Sequence, residues 1–507
     1  TRYQSLSRGL GDVYKRQVFL LFSGLLWLIA SLYAVGSEAG KRHGTRYRLF
    51  FLLAMAGNLG LIVAQDMVSF YLGFTLMGLA AYGLVAQPRS QRARLAARRY
   101  LVWTIAGEML LFVAIVMLAQ QHSGALAFSA LQSSPPAPFV LLLLVTGFGI
   151  KLALPGLHLW LPQAYAVTPA PAVAVLSGAM LKAGLLGWLR FLPLGSTELL
   201  HWGQVLLIAG ITGIFFGAIA GLLQRSPRLL LGYSSISKVG VLTSGMGAAL
   251  VWPETAPVVI AAVVIYAAHH ALVKGALFLG LGLVERSAVR PWTLAGLVFL
   301  ALALAGAPLT SGALAKSILT ASLPQDAQQL VMLLAVSAFA TTLLMARFLF
   351  LVWRQRASKY TPLPAESLIA WWMLLVVIAA YPFVLAQAAQ LMANLVPVFL
   401  GITSSLLLLL AIRRGSLPTL TRAWQVTQGR PAARTMQAMR QLANATQTVS
   451  GTLRVAAQSR FERVQHAVKQ RLLRPHAPLN DAERWRLAGS LWLGIGGLLL
   501  SGFIFAI

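Results

Sequence analysis

Glu108, Lys151, Lys182, His270, Lys274 and Lys316 stand inside long apolar stretches of this 507-residue chain, with His158 near the end of one of them. Charge at the centre of a bilayer costs about 2.5–3.5 kcal/mol per residue on insertion scales, so each of these positions needs a reason. A protein that required only a greasy interior would carry leucine there. Low dielectric penalises the charged form of an amine or imidazole, and groups so placed can take up and release protons. That is the chemistry of a hydrated proton relay.

The spacing points to a path. His270 and Lys274 are four apart and share a helix face. Lys151 and His158 are seven apart, two turns along one face, with Pro155 between them. Lys182 sits in Ala179-Met-Leu-Lys182-Ala-Gly-Leu, far from either end of its apolar run, where its amine cannot snorkel to the interface. His269 adjoins His270 but points about 100° away around a helix, which makes it the weaker candidate. Two apolar stretches are interrupted, one at Lys151-Leu-Ala-Leu-Pro155-Gly156 and one at Gly306-Ala-Pro308-Leu-Thr-Ser-Gly312. Proline inside a membrane helix frees a backbone carbonyl, and broken helices at corresponding places in two halves mark a transport path. A simple packing kink is the competing reading, and the ionisable residue beside each break argues for function.

The elements that hold these residues are membrane helices. The chain is 58% hydrophobic and only 10% charged, against roughly 25% charged in soluble domains. Apolar runs such as 139–150, 205–223, 258–283 and 330–353 recur along its length. We read about fourteen segments, near 18–36, 48–65, 68–86, 100–119, 139–161, 169–192, 201–223, 229–250, 256–284, 293–321, 328–353, 366–388, 394–412 and 487–507. The net charge of +29 reflects loops on one side of a membrane rather than a nucleic-acid partner. Basic clusters lie at 41–48, 89–99, 225–228, 286–290, 354–359 and 413–486, while alternate loops around Asp66, 122–138, 252–255 and 324–328 are nearly free of positive charge. A multi-pass protein of the bacterial inner membrane, with its basic loops in the cytoplasm, is expected.

Residues 1–17 are polar and read as a fragment edge or foreign junction. Residues 18–412 form the transmembrane domain. Residues 413–486 are polar and rich in Arg and Gln, with Val449, Leu453, Phe461, Val464, Val468 and Leu472 on a helical stripe. A surface helix from Ala432 to Arg474 would reach about 65 Å at 1.5 Å per residue, tied down by an anchor span at 487–507. The chain has no cysteine, so it offers no thiolate for zinc or iron–sulfur clusters. It has no Walker loop, dinucleotide fingerprint or HExxH motif. Tyr233-Ser-Ser-Ile reads as a helix start where serine caps, and Gly494-Ile-Gly-Gly as small-residue helix packing.

Five sequence blocks in a fixed order resemble one known family. They are Lys151-x3-Pro155-x2-His158-Leu-Trp-Leu-Pro162, Pro169 through Lys182-Ala-Gly, Leu231-Gly-Tyr-Ser-Ser-Ile-Ser-Lys-Val-Gly240, His270-Ala-Leu-Val-Lys274-Gly-Ala-Leu-Phe and Gly306-Ala-Pro-Leu-Thr-Ser-Gly-Ala-Leu-Ala-Lys316. They resemble the antiporter-like proton-translocating subunits of respiratory complex I, energy-converting hydrogenases and multisubunit cation/proton antiporters, over residues 18–412. The resemblance implies an all-α fold with two inverted five-helix repeats, each with a broken helix, in a chain shortened at its N-terminus. It implies Lys151 and Lys316 as counterpart lysines and Lys182, His270 and Lys274 as the central relay. The lateral helix and final span are similar to those of the largest such subunit. Three departures stand out: Thr75 where the family carries a glutamate, Gln163 where it carries an aspartate, and Tyr266 in place of a histidine. Glu108, on the following span, matches an acid of some members and could substitute for the one lost at Thr75.

The function expected is proton translocation within a redox-driven complex resembling complex I or a membrane-bound hydrogenase. The chain would have no catalytic centre, cofactor or metal of its own; its partners would be other membrane subunits, lipid and protons or Na⁺, not nucleic acid. The alternative is a subunit of a cation/proton antiporter, or a non-transporting partner that energises an inorganic-carbon uptake complex.

Overall fold

A computed structural model of the chain describes residues 2–38, 44–132, 135–194, 196–286, 291–354, 364–385 and 395–413. The expected lateral helix and anchor span at 414–507, with Gly494, lie outside the described residues. Within them the fold is all-helical, without a strand. Nine helices among these residues are long and apolar enough to cross a membrane, and three shorter apolar ones accompany them. Lipid offers no hydrogen bonds to the backbone, and a helix satisfies its own within each segment.

The first half begins with α1 (Arg2–Glu38), α2 (Gly44–Val63), α3 (Met67–Val85) and α4 (Gln91–Gln121). Its broken segment is α5 (Pro138–Leu152) and α6 (Leu161–Val167), followed by the split span α7 (Ala170–Gly178) and α8 (Ala183–Phe191). Next come α9 (Leu200–Leu222), α10 (Pro227–Val251) and α11 (Ala256–Arg286). A second broken segment, α12 (Pro291–Ala305) and α13 (Ser311–Ala321), precedes α14 (Gln328–Trp353), α15 (Ala365–Leu385) and α16 (Leu395–Arg413). Helix α1 continues back through residues 2–17, beyond the apolar run that starts at 18. Helix α10 starts at Pro227, so Tyr233–Ile236 lies almost two turns inside it and Ser234 and Ser235 cap nothing, contrary to the sequence reading.

Burial identifies the centre. The most apolar window of the α7–α8 span is wholly buried and that of α11 is 78% buried, whereas the other spans leave about half or more of theirs facing outward. These two central spans carry Lys182, His269, His270 and Lys274. Beside them α9 and α10 approach closely at Gly203, Gly210, Gly217, Gly240 and Gly247, where a side chain would meet the backbone of the other helix. Small residues on one face permit such contact in a membrane.

Candidate functional site

Lys151 occupies the last turn of α5, at the edge of the first break. Ala153 turns the chain into the left-handed region at φ 59° and Gly156 follows at φ 85°, and helix resumes only at Leu161. At the break the carbonyl of Ile150 accepts both the Ala153 N–H at 3.1 Å and the indole N–H of Trp160 at 2.8 Å. The Lys151 amine donates to the Tyr100 hydroxyl at 3.3 Å and lies 5.6 Å from the ring centre of Phe74. Tyr100 in turn donates to the carbonyl of Gly78 at 3.0 Å. Glu108, two turns along α4 from Tyr100, is buried within electrostatic reach of Lys151, its Oε1 against Gly78. A cavity of about 10 Å³ for a water-sized sphere adjoins Lys151, lined also by Thr104, Phe74 and Trp160. That is room for about one water.

At the centre, the α7–α8 span is interrupted by a single 3₁₀ turn, Met180–Lys182. A regular helix would occupy the carbonyl of Ser177 with the N–H four residues on; here it accepts the Lys182 amine at 2.6 Å. The Lys274 amine donates to the carbonyl of Leu231 on α10 at 2.9 Å. His270 is fully buried, neither ring nitrogen has a hydrogen-bond partner, and Lys182, Lys274, Lys238 and His269 all act on it electrostatically.

The second break repeats the backbone device of the first, with Gly306 at φ 87° and Leu309 at φ 63°. It frees the carbonyl of Ala305, and the Lys316 amine donates to it at 2.9 Å. Thr310 caps the resumed helix α13. His269 Nδ1 lies 2.9 Å from the hydroxyl of Ser311 at the start of that helix.

The structure therefore gathers more residues than spacing had. His269, weaker by its angle on α11, points from the central helix toward Lys316 and feels Lys316, Lys238 and Lys182. Lys238 went unremarked as a site residue although it stands in one of the family-like blocks. It is buried on α10, and its amine donates to the Thr341 hydroxyl on α14 at 2.6 Å. The signal was available: a lysine eleven residues inside an apolar helix cannot snorkel from mid-span. Lys151 and His158 do not share a helix face, because the chain is unwound from Ala153 to Trp160 and seven residues there are not two turns. His158 packs against Phe216 of α9 at 4.8 Å between ring centres. Gln163 accepts a hydrogen bond from Arg99, so a neutral amide serves where an aspartate was expected.

Each of the five interior lysines, Lys151, Lys182, Lys238, Lys274 and Lys316, donates to a hydroxyl or a backbone carbonyl. Glu108 is the carboxylate, among the described residues, within electrostatic reach of one of them. Among those residues no cluster of three His, Asp or Glu is placed to hold a metal.

A family profile described as NADH:quinone oxidoreductase/Mrp antiporter, TM, matches residues 64–342. NADH-quinone oxidoreductase subunit N of Desulforudis audaxviator is 31% identical over 352 residues, 64% of this chain and 68% of that protein. Hydrogenase-4 component B of Escherichia coli is 28% identical over 320 residues, and the chain spans 48% of its length. In fold, the chain is similar to a subunit of the Mrp complex from Dietzia sp. DQ12-45-1b, with TM-score 0.64 and 20% identity over 77% of this chain and 84% of that one.

Proposed function

Because the chain belongs to the membrane family of NADH:quinone oxidoreductases and Mrp antiporters, we propose that it is the proton-translocating subunit of a multi-subunit membrane complex. One observation carries this: five buried lysines and two buried histidines, of which only Lys151 has a carboxylate within electrostatic reach among the described residues. An uncompensated buried charge costs several kcal/mol, and function is the reason to keep it. Amines and imidazoles in low dielectric can themselves take up and release a proton, and that is what these residues offer as a path. Protons are the cargo.

Transfer would run along Lys151, Lys182, Lys274 and Lys316, with His270 as relay, and Lys238 and His269 join the centre to Lys316. Support comes from electrostatic coupling that is continuous from Lys182 through His270 and His269 to Lys316. Glu108 takes the part of the acid absent at Thr75. In the full architecture we propose about fourteen spans that include two inverted five-helix repeats, with the basic loops and the 413–486 lateral helix cytoplasmic. Redox cofactors belong to partner chains of a complex I-like or hydrogenase-like assembly.

The replaced acid at Thr75 favours a second reading, an energising subunit that moves no ions. The separating experiment follows proton movement by the native complex in vesicles after Lys274→Ala, while monitoring the partner's own reaction. The relay requires proton movement to fall at least tenfold. Unchanged movement supports the scaffold. Co-purified chains identify the driver: quinone-reductase or hydrogenase subunits fit the redox reading, and other antiporter-like subunits alone move the protein to secondary antiport.

A further inference from the structure

Between Lys151 and one end of the bundle lies a continuous cluster of phenylalanine rings drawn from four elements. Phe70 and Phe74 come from α3, Phe148 from α5, Phe191 from α8, and Phe128 from a 3₁₀ turn in the loop after α4. Phe70 is the hub, with its ring centre 6.2 Å from Phe74, 6.0 Å from Phe148, 5.4 Å from Phe191 and 6.1 Å from Phe128. The cluster closes through Phe74–Phe148 at 5.7 Å, Phe148–Phe191 at 5.3 Å and Phe128–Phe191 at 5.1 Å. Gly187 on α8 clears the space that the Phe148 ring fills.

The two ends of the cluster differ. The inner end is Phe74, whose ring faces the Lys151 amine. The outer end is Phe128, covered by the Arg190 guanidinium at 3.9 Å, and Arg190 also donates to the carbonyl of Ala64 at 2.6 Å. Asp66 caps α3 at this same end, and the N–H of Met67 donates to the carbonyl of Leu126, fastening the loop that carries Phe128. Lys151 lies thirteen residues along α5 from its start at this end, about 20 Å at 1.5 Å per residue. Edge-to-face and offset rings at these separations pack densely and present neither donor nor acceptor to water. A narrow apolar passage dewets and stops ions and protons without any charged barrier.

We propose that Phe70, Phe74, Phe128, Phe148 and Phe191 form a dry plug that seals Lys151 from the membrane face bearing Asp66 and Arg190, and so fix the side from which this lysine exchanges protons. The inference rests on Lys151 being a proton carrier for its purpose, but its geometry is testable without transport. Lys151 is then reached from the opposite face, past the unwound segment 153–160, and from the interior. Without the plug, a relay lysine open to both faces is a leak.

The absence of cysteine from this 507-residue sequence gives a clean test. A Lys151→Cys variant of the full chain in oriented vesicles is exposed to a membrane-impermeant maleimide from the Asp66 face. Labelling should be negligible with the plug intact and should rise at least tenfold when Phe70→Ala or Phe148→Ala is added. Phe148→Leu, which keeps the passage apolar and filled, should leave it low. Phe278→Ala removes a buried ring that packs on Tyr165 outside the cluster and should also leave it low, provided the variant purifies as the intact complex. Ready labelling with the plug intact, no rise after opening it, or an equal rise with Phe278→Ala would each overturn the proposal. Failure of the relay itself would show instead as undiminished transport in Lys274→Ala.

Discussion

The two broken helices use the same backbone device and hold their lysines differently. Both breaks contain a glycine near φ 86° and one further left-handed residue, Ala153 in the first and Leu309 in the second. In the first half the lysine precedes the break and is held by side chains: the Tyr100 hydroxyl, the Phe74 ring and the charge of Glu108. In the second half the lysine follows the break and is held by the backbone carbonyl that the break itself released. The first arrangement can be retuned by mutation of its neighbours. The second is tied to the fold, since no substitution removes a main-chain carbonyl.

The glycines sharpen this contrast most. Gly306 lies against the Lys316 side chain, where a methyl group would meet Cδ at 3.1 Å and Nζ at 3.4 Å, whereas a methyl group at Gly156 meets nothing within 4 Å. Both alanine variants suffer left-handed strain of about 1–2 kcal/mol, but Gly306→Ala also crowds the Lys316 side chain against its carbonyl acceptor. Transport should fall by about tenfold or more in Gly306→Ala and stay within about twofold in Gly156→Ala, at similar thermal midpoints. Equal transport losses would break the comparison. Next in size, Tyr100→Phe removes the hydroxyl that Lys151 donates to, a loss of about 1–3 kcal/mol. Rates measured in the native complex should drop by roughly fivefold or more. Thr341→Val deprives Lys238 of its acceptor in the same way, and a smaller drop of about two- to fivefold is expected, because several charged neighbours offer parallel routes.

The smallest effect lies at the outer end of the first half. The Asp66 carboxyl is held below the usual carboxylate range by hydrogen bonds from the hydroxyl and backbone N–H of Ser69. A depressed carboxylate stabilises the fold above its unfolded value near 4 and loses that contribution as pH falls through the folded value. Asp66→Ala should cost about 1 kcal/mol at pH 7 as a lost helix cap, and the gap from the parent should close on acidification below about pH 4. A gap independent of pH in thermal unfolding would contradict the assignment.

Much of this was legible in the sequence because lipid makes the rules strict. Lys151, Lys182, Lys274 and Lys316 were visible as charges inside apolar runs, and Pro155 and Pro308 marked two breaks. The 3₁₀ turn at Met180–Lys182 was not legible, since no proline stands there and the neighbouring residues suit a helix. Ala153 and Leu309 gave no sign of left-handed geometry, which residues with a Cβ rarely adopt. His158 was misplaced because helical spacing was carried across an unwound segment. Lys238 was legible by the same signal that marked Lys182, its depth in an apolar helix, and went unremarked. The aromatic cluster could not be read at all: its five rings come from positions 70 to 191 and meet only in three dimensions.

The most direct test of the account is proton pumping by the native complex carrying Lys182→Ala, reconstituted in sealed vesicles and driven by its own partner reaction. Lys182 is fully buried, sits at the helix break and couples to His270 and His269. The account predicts at least a tenfold loss of pumping from this chain in a complex that still assembles. Full pumping at wild-type rate and stoichiometry would show that protons do not travel along this row of lysines.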